Sequence, residues 1–150
     1  MIVPSQVRLA LLGMSIVLVG ACGGGGGDDD GTTPPPPAAS PFAGTYATAV
    51  TLASNSCGPV TVQSLPTTVT HTAGSSAVTL VHGGTTYPGT VAADSTFTSS
   101  PVNVDVGDGF QYLIIVAGRF GNRSFVADAT VDRSGGSGPC RFVAHWVGTR

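Results

Sequence analysis

The chain contains no lysine and no glutamate. Its six basic side chains are all arginine and its eight acidic ones all aspartate, in 150 residues with a formal net charge of −2. Charged residues make up only 9%, against about 25% in an ordinary soluble domain. Binding nucleic acid through its phosphates needs a basic stripe; six cations do not make one, so no nucleic-acid partner is expected. The missing Glu and Lys exclude most catalysis built on those side chains, and the chain is expected to be non-catalytic. A membrane-length apolar run is absent too: residues 9–19 form a run of 11, short of the roughly 20 that a spanning helix needs. No window carries a convincing helical period, because Gly or Pro interrupts nearly every stretch of ten.

What is present divides into three unlike segments. Residues 1–21 carry one positive charge, Arg8, ahead of the apolar run, which suits the core of a secretory signal. The run ends in Leu18-Val19-Gly20-Ala21-Cys22, which resembles the lipobox of bacterial lipoproteins: a branched residue, two small residues, then Cys. That resemblance implies diacylation of the Cys22 thiol, cleavage before Cys22, acylation of the new amino terminus and a membrane partner reached through this lipid anchor. Gly23 stands where the family's inner-membrane retention signal has Asp. The resemblance therefore implies outer-membrane anchoring, facing the periplasm or the cell surface.

Residues 22–41 form the lipidated Cys and a tether. The run GGGGGDDDGTTPPPPAASP (23–41) has no aromatic or β-branched aliphatic residue, so it cannot bury enough surface to fold. Glycines make it flexible, and Pro34–37 favour stiff polyproline II. At about 3.3 Å per residue it reaches at most ~60 Å. Asp28, Asp29 and Asp30 read as a solvated run within it.

Residues 42–150 hold all ten aromatic residues and are long enough for one modest core. They are rich in the strand formers Thr, Val and Ile, and turn signals such as Gly58-Pro59, Gly83-Gly84 and Gly121-Asn122 recur at short intervals. That cadence predicts an all-β domain of about eight short strands, an antiparallel up-and-down barrel or else a β-sandwich. The expected strands are 44–53, 60–64 with 67–72, 76–82, 85–92, 95–106 (broken near Pro101), 110–120, 123–132 and 140–149. A type II′ turn at Gly121-Asn122 would set Val116 opposite Ala127 and Ile114 opposite Ala129, with Tyr112 opposite Val131. Large residues then face small ones on one apolar surface, as a packed interior requires. On the other face Leu113, Ile115 and Val126 are expected to lie beneath a further strand or loop, or else to form an exposed patch for a partner, lipid or ligand.

Three cysteines are an odd number for a secreted chain. Lipidation uses Cys22 and leaves Cys57 and Cys140, which can pair in one way, and an oxidising envelope favours that disulfide. The bond would set the first and last strands side by side and antiparallel, as a closed barrel needs. Gly44-Thr45-Tyr46 at the start and Trp146-Val147-Gly148-Thr149-Arg150 at the end resemble small calycin and lipocalin-type barrels. Tyr46 departs from the family's Trp, and no ligand residue carries over.

The interior set expected to face a ligand is Tyr112, Ile114, Val116, Phe125, Ala127, Ala129, Val131, Phe142 and Trp146. His71, His82 and His145 lack metal-ligand spacing and are expected on the surface or rim. Asp105-Val106-Gly107-Asp108-Gly109 reads as a hairpin turn, and Arg119, Arg123, Arg133, Arg141 and Arg150 as solubilising charges. No metal or cofactor is expected. Two functions are weighed: a module that binds a small apolar ligand, and a structural lipoprotein that offers a sheet face to an envelope protein.

Overall fold

A computed structural model describes residues 40–136 and 138–150. The signal segment 1–21, Cys22 and the tether up to residue 39 lie outside the described residues. The described strands are β1 (Gly44–Asn55), β2 (Thr67–His71), β3 (Ala77–His82), β4 (Thr85–Val91), β5 (Thr96–Ser99), β6 (Val102–Val104), β7 (Gln111–Gly121), β8 (Ser124–Ser134) and β9 (Cys140–Thr149). Each pairs antiparallel with its neighbours in the order β5-β4-β3-β2-β1-β9-β8-β7-β6, and a further β5–β7 pairing closes the ring. The result is a closed eight-stranded antiparallel barrel with β6 as an additional short strand. Closure removes the free edges that a sandwich would leave.

The break near Pro101 separates β5 from β6, because proline has no N–H to give to a ladder. On either side of it, Thr96–Thr98 pair with residues 117–119 of β7 and Val102–Val104 pair with residues 112–114. β1 pairs along most of its length with β9, and Cys57 and Cys140 are disulfide-bonded with their Cα atoms 5.1 Å apart.

The expected strand at 60–64 does not form. β1 pairs with β2 only through Gly44, Thr45 and Tyr46. Beyond that point residues 60–66 have no ladder. Side chains substitute for part of the missing pairing: Val50 N donates to Ser64 Oγ at 2.9 Å.

The β7–β8 hairpin is also offset from expectation. Gly121 pairs with Ser124, Phe120 with Phe125, Val116 with Ala129, and Tyr112 with Arg133. The left-handed position falls at Arg123 (φ 57°) rather than at Gly121, which moves the turn one residue along. The register therefore slips by two residues. A slip of one would turn every side chain to the other face; a slip of two leaves the inward set inward.

One end of the barrel is packed with rings. Phe42 stacks on Phe120 at 4.8 Å, Phe120 on Phe97 at 4.5 Å, and Tyr46 meets Phe125 edge-on at 5.2 Å. Small residues make the room: Gly118 lies opposite Phe97 and Gly148 opposite Phe125. The Tyr46 hydroxyl donates to the Phe42 carbonyl at 2.8 Å. Arg150 reaches back over the Tyr46 ring at 5.1 Å and donates to the carbonyls of Pro41 and Ala43. The first and last motifs of the domain thus clasp each other at this end.

The outer face of β7–β9 carries no covering element among the described residues. Val126 is 48% exposed, and Leu113 and Ile115 are half-buried, which corrects the expected cover. The arginines do more than solubilise: Arg141 forms a two-pronged pair with Asp132, Arg119 donates to the Asp94 carbonyl at 3.1 Å, and Arg123 donates to that of Arg150 at 3.0 Å.

Candidate functional site

The opposite end of the barrel, where the disulfide sits, is not filled. Alternation along the strands brings Val50, Ile114, Val131 and Ala144 inward there, but no Phe cluster follows them. A cleft of about 180 Å³ remains, open to solvent on one side. Its small floor residues face each other directly, Ala129 across from Ala144. Phe142 and Trp146 wall it from β9, Tyr87 from β4, and Val62 and Gln63 from the unpaired segment.

Trp146, the chain's single tryptophan, is 4% exposed and anchors the aromatic wall. The His82 ring lies 4.2 Å from it at a tilt of 32°, and Tyr87 meets it edge-on at 6.0 Å. Edge-on contacts of this kind set the quadrupoles of the two rings favourably.

A hydrogen-bonded relay runs into the cleft from the barrel core. Thr48 Oγ1 donates to Thr67 Oγ1 at 2.8 Å, and Thr67 Oγ1 lies 2.9 Å from His82 Nδ1. Thr48 and Thr67 are buried, so these hydroxyls need partners inside the protein. Because Thr67 accepts from Thr48, its own proton goes to Nδ1. His82 is then neutral with its hydrogen on Nε2, a tautomer inferred from its partners. Burial holds His82 below the ordinary histidine range, opposed by a hydrogen bond to the Gln63 backbone. Burial also raises the Tyr87 hydroxyl above its usual value.

Of the residues expected to face a ligand, Ile114, Ala129, Val131, Phe142 and Trp146 line this cleft. Val116, Phe125 and Ala127 do not; they are buried in the core. Tyr112 is not in the lining either; its hydroxyl donates to Asp108 Oδ2 at 2.6 Å. That bond raises the Tyr112 pKa and lowers that of Asp108.

Val50, Val62, Gln63, Tyr87 and Ala144 join the site without having been expected there, as does His82. His82, expected at the surface or rim, is half-buried at the end of β3 and lines the open cleft. Its signal was available: Val78, Leu80 and His82 share one face of β3 by simple alternation. His71 pairs with Val78 and His82 with Thr67. His71 lies at the other end of the barrel, its ring 5.3 Å from that of Phe42 and tilted by 55°. His145 is on the outside, 2.7 Å from Asp128.

Asp105 and Asp108 cap their own turn, accepting from Gly107 N at 2.8 Å and Phe110 N at 3.0 Å. Asp94 does the same for Thr96 N at 3.0 Å, and its carboxyl is lowered by bonds to Thr96. No protein-family model, curated protein or solved structure matches the chain.

Proposed function

We propose that this is a lipid-anchored protein of the cell envelope, held through Cys22, whose barrel is a non-catalytic module binding a small apolar ligand in the open-end cleft. The observation that carries the binding reading is the cleft itself: about 180 Å³ between Trp146, Tyr87, Phe142 and a floor of Ala129 and Ala144. Ligand sites are typically concave and mostly apolar with a few convergent polar groups, and His82 with Gln63 supplies that polar edge. The cleft's volume of about 180 Å³ limits a guest to a small molecule.

Trp146 provides its own reporter. Titration of the mature chain with benzene, followed by Trp146 emission, is expected to saturate at one site. Ala144→Leu, which places a larger side chain in the cleft, is expected to abolish the response. A linear, non-saturating change that Ala144→Leu leaves untouched would refute the binding reading.

A second reading, a structural protein presenting a sheet face, is favoured by Val126 and Val147, paired on adjacent strands and 48% and 39% exposed. Under that reading Val126→Ser would weaken association with an envelope protein, and benzene would not bind.

A further inference from the structure

We propose, resting on that binding reading, that residues 60–66 are the gate of the cleft: a strap that swings off β1 to admit a guest, kept from joining the barrel wall by a mismatch of one residue. The rings at the back of the cleft are covered, since Trp146 and Tyr87 are each 4% exposed. A guest reaches them only when a wall of the cleft moves. Every lining residue but Val62 and Gln63 stands on a strand held by a ladder. Those two stand on the strap, which has none.

The strap has the pattern of a strand and a vacant strand edge beside it. Val60 and Val62 are half-buried while Thr61 and Gln63 are exposed, the alternation of a strand with one face inward. Beyond Tyr46, β1 pairs with β9 alone. What prevents a ladder is length. Tyr46 lies opposite Thr67, and Val50 N meets Ser64 Oγ. Between these two crossings β1 takes four steps and the strap only three. A ladder begun at Thr67 therefore reaches Ser64 one residue out of step, and a slip of one turns the wrong face inward. Pro66, inside the shortfall, has no N–H to give to Thr48. The strap is left with the Val50–Ser64 bond, a bond between the Gln63 backbone and His82, and the packing of Val62 on the core. No backbone–backbone bond holds it among the described residues, and segments so thinly held are the ones that open locally. Its ends are firm: Cys57 is bridged to Cys140 and Thr67 is fully buried. These ends are the hinges.

The test uses the full mature chain with benzene, and a repaired variant that carries one Ala inserted between Leu65 and Pro66 together with Pro66→Ala. Amide hydrogen exchange is read first, without benzene. In the native protein the Val62 and Ser64 amides are expected to exchange within about tenfold of unstructured chain, far faster than those of β2. The repaired variant is expected to protect both. Stopped-flow Trp146 emission then follows benzene, whose entry and exit are expected to slow together by about tenfold or more in the repaired variant, as gating requires. Ser64→Ala, which removes the bond to Val50, is expected to speed entry severalfold and serves should the repaired variant fail to fold. Native Val62 and Ser64 amides as protected as those of β2 would overturn the gate, whatever benzene does. A folded repaired variant that leaves them unprotected would overturn the mismatch. One that protects them yet admits benzene at the native rate would overturn the gate, as would an unchanged entry rate in Ser64→Ala. A fast-exchanging native strap with no saturable benzene binding would overturn the binding reading instead.

Discussion

Phe125 lies directly opposite Gly148 across β8 and β9, and its ring occupies the space a side chain at 148 would need. This pairing makes room for the rings that pack one half of the barrel. The glycine admits the ring, which then packs edge-on against Tyr46. Gly148→Ala forces a methyl group into Phe125, and overpacking of this kind costs about 1–3 kcal/mol. Urea unfolding of the variant is expected to show a lowered midpoint with an unchanged slope.

His82 gives the protein a pH dependence of known sign. Its folded pKa lies below the ordinary 6.5 because burial disfavours the charged ring. Below that value the unfolded chain takes up a proton that the folded one resists, so stability is full above about pH 6.5 and falls as the pH drops toward the lower folded pKa. Thermal unfolding between pH 5 and 7.5 is expected to show a falling Tm on acidification, and His82→Gln to flatten that slope. The carboxylates of Asp94, Asp108 and Asp132, lowered from 3.8 by their hydrogen bonds, lose their contribution at more acid pH and do not share this window.

The Cys57–Cys140 bond spans a sequence separation of 83. In the chain-entropy model such a loop is worth about 4–5 kcal/mol through the unfolded state. Replacing both cysteines with Ala is expected to lower the unfolding free energy by up to that amount. The largest local loosening, read by hydrogen exchange, is expected in residues 58–66, which begin at the bridge and have no ladder of their own.

The lipid anchor has a direct check. Cys22→Ala is expected to abolish palmitate incorporation and leave the protein soluble, and globomycin to block processing of the native chain. Normal processing and membrane retention in the variant would contradict the lipobox reading.

Much of this barrel was legible because strands announce themselves by alternation and turns by Gly. The even residues of β7 and the odd residues of β8 were readable as one apolar face. The hairpin slip left that reading intact because it moved by two. What the pattern could not convey was length of pairing. Nothing in residues 60–64 distinguishes a strand from an extended segment whose neighbour has moved away; that depends on where β1 leaves β2. The cleft was half legible for the same reason. Ile114, Ala129, Val131, Phe142 and Trp146 follow from periodicity, whereas Val62 and Gln63 come from chain without period. His82 was legible as a rim residue; that Thr48 stands behind Thr67 was not, because it depends on how β1 crosses β2.

Crystals of the mature protein soaked with bromobenzene test the cleft most directly, because the anomalous signal of bromine locates the guest without reference to side-chain density. A bromine peak is expected between Trp146, Phe142 and Ile114, with the ring against Trp146 and the Ala129–Ala144 floor. An empty cleft closed over by Val62 and Gln63, with bromine bound only elsewhere, would contradict it.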